Sequence, residues 1–407
     1  MSQAREFDVV IWGASGFTGR LVAEYLYKKY GVDQEVKWAM AGRNQTKLER
    51  VRDQVADREV PLILADSHDE ASLLEMSGRT KVICTTVGPY GKYGSKLVAA
   101  CVAQKTDYCD LCGEVPWMRQ MIDQHHETAR ANGTKIVHTC GFDSIPSDMG
   151  VYFVQKEAMA QTGQPAQEIN MRVRSFSGGV SGGTLASLSD SVEKAYKDKE
   201  QFRTLIDPYG LNPTDYRSGP DGRDLQAVVY DEASDGWIYP FIMAGINTKV
   251  VRRSNALAGF PYGRNFRYDE ATMSGPGVSG RLKGIAAAVP LGIVAGAKPG
   301  SLLKKTIDAV LPKPGEGPSQ SARENGYYNL RFYTTLADGS KALGKVTGDM
   351  DPGYGSTAKM MGEAAVCLAQ DELPETAGVL TPAVAMGDAL LHRLETNAGL
   401  TFDYQAD

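Results

Sequence analysis

"VVIWGASGFTGRLVAEYL", Val9 to Leu26, decides the fold. Phe7 to Trp12 is apolar and rich in β-branched residues, as expected of a strand covered on both faces. Gly13, Gly16 and Gly19 follow at three-residue spacing, and Leu21, Val22, Tyr25 and Leu26 then recur at helical spacing. The glycines therefore sit on a strand-to-helix turn. In a doubly wound fold a dinucleotide pyrophosphate rests at that turn. Glycine permits the tight turn and close backbone approach, and the helix N-terminus offers free N–H groups and partial positive charge. The pattern is G-x-x-G-x-x-G, with Ser15 where the commoner fingerprint has its second glycine. A tight turn without a ligand is the plainer alternative, but the strand before and the helix after favour a site. Its candidate cofactor-binding residues are Gly13, Ser15, Gly16, Phe17, Thr18 and Gly19.

The second strand, "VKWAMA" (Val36 to Ala41), ends in Gly42-Arg43-Asn44. An NAD site carries an acidic residue there for the ribose 2′-hydroxyl. This chain has Arg43 instead, with Asn44 beside it and Lys47 one turn into the next helix. A guanidinium matches a phosphate bidentately and gains little from a hydroxyl. The expected cofactor is NADP(H), with a solvated arginine at a helix start as the alternative. Asp66, after the third strand, is a further candidate near the adenine. The fourth strand ends in "TTVGPYGKYG", where Val87, Gly88 and Pro89 bring backbone close to the nicotinamide half.

Length and composition bound the rest. The chain has 407 residues, 42% hydrophobic and 23% charged, with net charge −5. That length implies two domains or one domain with a large insertion. No basic face for nucleic acid is indicated. The N-terminus passes from "MSQAREFD" straight into a strand with no apolar signal region, so a cytoplasmic location is expected. The six cysteines are scattered. Cys109-Asp-Leu-Cys112 is formally C-x-x-C but lies at a strand end, without the helix N-terminus that activates redox thiols. No metal site is expected.

Strand and helix alternate over the first 150 residues, as a parallel sheet requires. Strands are expected at 7–12, 36–41, 60–64, 81–87, 106–110 and 135–140. From about 165, longer alternating runs separated by Gly, Pro and Asp turns indicate an antiparallel sheet with one covered face. They include "INMRVRSFSG", "NTKVVRRS" and "YYNLRFYTTLAD". "SGGTLASLSDSVEKAYKD" reads as a helix interrupting that sheet. "GYGSTAKMMGEAAVCLAQ" and "GVLTPAVAMGDALLHRLETNAG" read as helices whose small apolar faces return to the first sheet. The fold class is α/β: a Rossmann-type doubly wound parallel sheet with an inserted, mainly antiparallel α+β second domain. Residues 1–150 bind the cofactor, 151–350 serve substrate and oligomerisation, and 351–407 are the returning helices.

"GIAAAVPLGIVAGA", residues 284–297, does not fit this plan. At 14 residues it falls short of the ~20 that a spanning helix needs. Pro290 argues against one straight helix. A buried hairpin, a dimer-covered segment, a wall for an acyl chain and a peripheral lipid contact all remain open. Arg281, Lys283, Lys298, Lys304 and Lys305 flank it, which suits anionic lipid.

"GASGFTGR", "AGRNQTKLERV", "VGPYGKYGSKLVAAC", "DYCDLCGE", "CGFDSIPSDMG" and "GVLTPAVAMGDALLHRL" together resemble the saccharopine dehydrogenase-like oxidoreductases. The branch most similar to them is the trans-acting enoyl reductases. The resemblance implies NADPH-dependent reduction of an enoyl double bond on a lipid or polyketide thioester. Two alternatives stand beside it. One is a saccharopine-type enzyme acting at a C=N bond, which needs convergent arginines such as Arg172, Arg174, Arg252 and Arg253. The other is a lipid-associated nucleotide-binding protein with little catalysis. Enoyl reduction needs donors at a developing enolate and a proton for the α-carbon. Tyr90, Tyr93 and Ser144 are the candidates in the crevice loops. The partner is a small or carrier-bound acyl substrate, with a homodimer possible in outline.

Overall fold

A computed structural model describes residues 5–56, 59–178, 198–296, 301 and 317–406. Its first part runs β1 (Phe7–Trp12), α1 (Phe17–Tyr30), β2 (Trp38–Gly42), α2 (Gln45–Val55), β3 (Leu62–Leu64) and α3 (Glu70–Gly78). It continues with β4 (Thr80–Thr85), the single turn α4 (Tyr90–Tyr93), α5 (Ser95–Gln104), β5 (Asp107–Asp110), α6 (Val115–Asn132) and β6 (Lys135–Val137). These six strands are parallel, in the order β6-β5-β4-β1-β2-β3. The chain therefore leaves β1 in one direction and returns to its other side at β4. Alternation along β1 makes it a two-sided core strand. Val9 and Ile11 pack with Val22 and Leu26 of α1, while Val10 and Trp12 pack with Leu73 of α3 and Val98 of α5.

The second part comprises α7 (Ile145–Thr162), β7 (Glu168–Ser177), α8 (Lys199–Ile206), β8 (Val229–Asp231), β9 (Gly236–Pro240), α9 (Ala244–Leu257), β10 (Arg267–Gly275) and α10 (Gly277–Gly296). After these come α11 (Gln320–Glu324), β11 (Tyr327–Thr335), β12 (Lys341–Gly348), α12 (Thr357–Gln370), β13 (Gly378–Leu380), α13 (Pro382–Thr396) and β14 (Leu400–Ala406). A second seven-stranded sheet has the order β14-β12-β11-β7-β10-β9-β8. Its pairs are antiparallel except β7 with β10. Alternate residues of β11 and β12 are buried, so one face is covered, as expected. The helix expected in "SGGTLASLSDSVEKAYKD" lies largely outside the described residues.

Two local expectations are corrected, and one strand is added. "NTKVVRRS" is not a strand: it forms the middle of α9, and every residue from Ile246 to Ala256 is buried. Burial on all sides overrode the β-preference of Val250 and Val251. Residues 378–380 stand ahead of α13, which starts at its proline, Pro382, as expected. They form β13, a seventh parallel strand alongside β6. Pro290 does not break α10, which runs through it. Ala286, four residues earlier, is exposed, so water can serve the carbonyl that the proline leaves without a partner.

The chain's end fastens the layers together. Ala364 and Ala365 of α12 are fully buried, and α12 packs on α1 and on β4 and β5. At its centre the buried Glu363 accepts hydrogen bonds from the hydroxyls of Tyr25 and Tyr30 at 2.6 Å each, and from Arg393 and Asn397 at 3.1 Å each. One carboxylate thus joins α1, α12 and the end of α13.

Candidate functional site

The glycines do what their spacing implies. Gly13 has φ +89°, in the left-handed region that favours glycine. A Cβ on Gly19 would stand 2.2 Å from the Gly13 carbonyl oxygen, so α1 starts in direct contact with the turn. Gly16 caps α1 without a side-chain hydrogen bond, and the first turn holds no acid. The helix therefore presents N–H groups and its positive end to the crevice, which fits a pyrophosphate. The loop after β4 closes the other side. Thr86 N–H donates to the Trp12 carbonyl at 3.0 Å, and the Val87 side chain lies where a Gly13 Cβ would be, 2.5 Å away. Ser15 lies beside Gly42. Thr18 is half-buried in the first turn of α1. Phe17 is placed differently. Its ring packs edge-on against Tyr354 at 4.8 Å, with Arg20 and Arg323 each 5.6 Å from its centre.

At the end of β2, Arg43 and Lys47 are exposed, and their side chains make no hydrogen bond or ion pair among the described residues. Asn44 is already used as the cap of α2, its side chain accepting from Lys47 N–H at 2.9 Å. Asp66 shapes its own loop by accepting from His68 N–H at 2.8 Å. Gly88 and Pro89 lead into α4. There Glu114, buried at the end of the β5 loop, accepts from the N–H groups of Tyr90 at 2.7 Å and Gly91 at 3.0 Å.

No hydrogen bond or ring contact joins the three candidate proton donors. Tyr90 is buried, and its hydroxyl donates to the Thr85 carbonyl at 3.2 Å. Burial and the neighbouring Asp110 push that hydroxyl well above its usual range. Tyr93 is half-buried on the α3 side, edge-on to His68 at 5.9 Å. Ser144 is fully buried and donates to Asn247 Oδ1 at 3.0 Å, and Asn247 donates in turn to Glu270 at 2.9 Å. Two of the three hydroxyls thus serve the fold.

The crevice floor holds a group that the sequence did not single out. Strand register sets Trp12, Thr85 and Asp110 side by side at the ends of β1, β4 and β5. His138 follows Val137, which is paired with Cys109. Strand ends stand about 4.8 Å apart, so this row runs from the β1–α1 turn to the end of β6. Asp110 Oδ2 accepts from the Tyr108 hydroxyl at 2.8 Å and faces His138 Nδ1 at 2.7 Å, while Oδ1 takes the N–H groups of Cys112 and Thr139. A carboxylate with that role assigns the proton to Nδ1. Nε2 is then left buried and without a partner among the described residues, an arrangement that ordinarily costs about 1–3 kcal/mol. Thr139 beside it has φ +64°, rare for a β-branched residue. Trp117 lies edge-on to the imidazole at 5.1 Å. Trp117 also lines a cavity of about 460 Å³ with Gly91, Glu114, Thr204 and Arg217.

Asp143, in the loop after β6, is half-buried. Burial and the nearby Asp110 push its carboxyl up to about 7. Burial does the same to Asp148 and Glu270, each to about 7. The six cysteines are free and buried; the hydrogen bond with Cys84, together with burial, pushes the Cys109 thiol up, and burial does the same to Cys112. Among the described residues no three His, Cys, Asp or Glu side chains converge on a metal position.

Residues 9–137 match the family model of the saccharopine dehydrogenase NADP-binding domain. A putative trans-acting enoyl reductase of Mycobacterium tuberculosis is 43% identical, the match covering 96% of each chain. The trans-acting enoyl reductase of Mycobacterium ulcerans is 41% identical over 97% of this chain and 96% of that one. Among solved structures, saccharopine dehydrogenase (L-Glu forming) from Saccharomyces cerevisiae has the same fold. It aligns over 98% of this chain and 100% of that one, with TM-score 0.54 and 11% identity. The chain belongs to the trans-acting enoyl reductase family, built on the NADP-binding fold of saccharopine dehydrogenase, and it is an NADP(H)-dependent oxidoreductase.

Proposed function

We infer that the protein reduces the double bond of an enoyl thioester at the expense of NADPH. The kinship with trans-acting enoyl reductases supports this, and one structural observation favours it over C=N chemistry on an amino acid. That alternative needs arginines converging on substrate carboxylates. Instead Arg172 is held by Asp231 and Asp269, and Arg252 by Asp221 and two backbone carbonyls. Arg253 is buried against the carbonyls of Leu211 and Val379. These three guanidinium groups are bound within the fold, which leaves Arg174, exposed on β7, of the four candidates.

In this reading Gly13, Ser15, Gly16, Thr18 and Gly19 hold the pyrophosphate, with Phe17 bracing the turn. Arg43 and Lys47 take the 2′-phosphate, Asn44 and Asp66 shape its surroundings, and Val87, Gly88 and Pro89 border the nicotinamide. Bound NADPH supplies the hydride for the β-carbon. Residues of this chain supply the rest. Negative charge grows on the thioester oxygen, and a proton must reach the α-carbon. Asp143 retains a proton near neutrality and lies by the crevice floor, so we assign it that delivery. Tyr90 and Ser144 brace the floor and Tyr93 forms part of the wall. Residues 1–150 carry the cofactor, 151–350 the substrate and any second copy, and 351–407 close the first sheet. Peripheral lipid contact through 284–297 belongs to the same reading, because the substrate is an acyl chain. The deciding experiment follows NADPH oxidation with a medium-chain enoyl-CoA and, separately, with a keto acid plus lysine or glutamate. Turnover with the first and none with the second is expected; the reverse result overturns the reading.

A further inference from the structure

α10 is inverted relative to an ordinary amphipathic helix. Its small residues face the protein. A Cβ on Gly280 would lie 1.9 Å from the Gly275 carbonyl oxygen, and one on Gly284 would lie 2.8 Å from Ser274 Oγ and 3.0 Å from Val228. Its large apolar residues face outward: Val278, Leu282, Ile285, Val289 and Ile293 are between 41% and 76% exposed. At 100° per residue these five fall within an arc of about 80°, a single stripe along a helix about 30 Å long.

The stripe continues onto the neighbouring sheet edge. Arg281 lies over the Trp237 ring at 5.0 Å, and Tyr230 meets that ring edge-on at 5.8 Å. Val229 and Tyr230, on edge strand β8, are themselves exposed. With Tyr230, which pairs with Trp237, this corner carries six of the fourteen large apolar side chains that stand exposed among the described residues. A continuous patch of this kind is seldom kept in water without a use.

Charge selects the occupant. From Ala271 to Ile307 the sequence has no Asp or Glu but contains Arg281, Lys283, Lys298, Lys304 and Lys305, within a chain of net charge −5. Arg281 and Lys283 are exposed on α10 itself. The β8–β9 turn carries two exposed acids, Glu232 and Asp235, and Asp235 takes the Tyr230 hydroxyl. A second copy of the chain docking through this same face would bring like charge to like charge. No described helix is long and apolar enough to cross a membrane.

We propose that α10 and the β8–β9 edge form a docking face for an anionic lipid surface, with the helix lying in the plane of the headgroups. The apolar stripe enters the acyl boundary, Trp237 and Tyr230 sit at headgroup depth, and the basic residues meet lipid phosphates. This docking deepens the lipid contact of the proposed function, but flotation reads it without turnover, so either can fail without the other.

The test is flotation of the full chain with vesicles of phosphatidylcholine alone and of phosphatidylcholine mixed equally with phosphatidylglycerol. Preferential flotation with the anionic vesicles is expected, weakening as salt is raised. Leu282→Asp and Val289→Asp replace exposed side chains, and each should lower the partition coefficient about tenfold or more, with NADPH affinity and melting temperature unchanged. The proposal is overturned if the wild-type chain ignores anionic vesicles or the variants float equally well. It also falls if sedimentation shows a dimer that both variants dissociate while no vesicle binds.

Discussion

Gly19→Ala tests the cofactor turn most directly. The added methyl carbon would stand 2.2 Å from the Gly13 carbonyl oxygen, 2.8 Å from its carbon and 2.8 Å from Thr86 Oγ1, where ordinary contact begins at 3.4 Å. Two of those atoms are backbone and cannot swing away. The start of α1 must therefore retreat by about 1 Å, carrying its N–H groups with it. Overpacking of this kind costs about 1–3 kcal/mol of stability. A displacement near 1 Å at a positioned site can cost about 100-fold in function. We expect NADPH affinity, read by the fluorescence of bound nucleotide, to fall at least about tenfold, and the melting temperature to drop by several degrees. Gly245→Ala is the matched control. It lies near the start of α9 with nothing within 4 Å of a new Cβ, so it should leave NADPH binding alone and stabilise by about 0.4–1 kcal/mol. A Gly19→Ala protein that binds NADPH as tightly as the wild type would refute the placement of the pyrophosphate at this turn.

Arg43→Ala should weaken NADPH by about 10–100-fold, the worth of a charge-assisted phosphate contact, and leave NADH nearly unchanged; equal losses for both cofactors would remove Arg43 from the 2′-phosphate. Asp143→Asn should lower kcat while sparing NADPH affinity. In the wild type the rate should fall as pH rises through about 7, where this carboxyl gives up its proton. The same upward shift has a stability consequence of definite sign. The folded state holds the proton that the unfolded chain releases near pH 4, so Asp143's contribution is lost as pH climbs from about 4 toward 7. An unchanged pH–rate profile in Asp143→Asn would exclude it as the donor.

Features written in contiguous residues were legible. The β1–α1 turn, the βα rhythm of the first 140 residues and the one-sided alternation of β11 and β12 all show as local periodicity. Strand β13 did not show, because three residues carry no period and its partner is β6. The middle of α9 misled for the opposite reason: Lys249, Arg252 and Arg253 look like solvent-facing residues of a strand, yet all are buried. The NADP(H) preference was readable because glycine spacing and a strand-end arginine are sequential signals. The Asp110–His138 pair was not. The two residues are 28 positions apart and meet only through parallel register. Nor does composition reveal that the Tyr90 hydroxyl ends on the Thr85 carbonyl.

The strand pairing of β13 with β6 sets a timetable for synthesis. Val137 pairs with Leu380, so roughly 240 residues are made after β6 before its outer neighbour exists. At about 5–20 residues per second that wait lasts roughly 10–50 s. Throughout it β6 is an open edge whose unpaired N–H and C=O groups can template a wrong partner. Helix α12, which covers one face of the same sheet, also arrives late. The nascent Rossmann half is therefore a fragment with one raw edge and one bare face, and its yield in a cell should track how well that interval is protected.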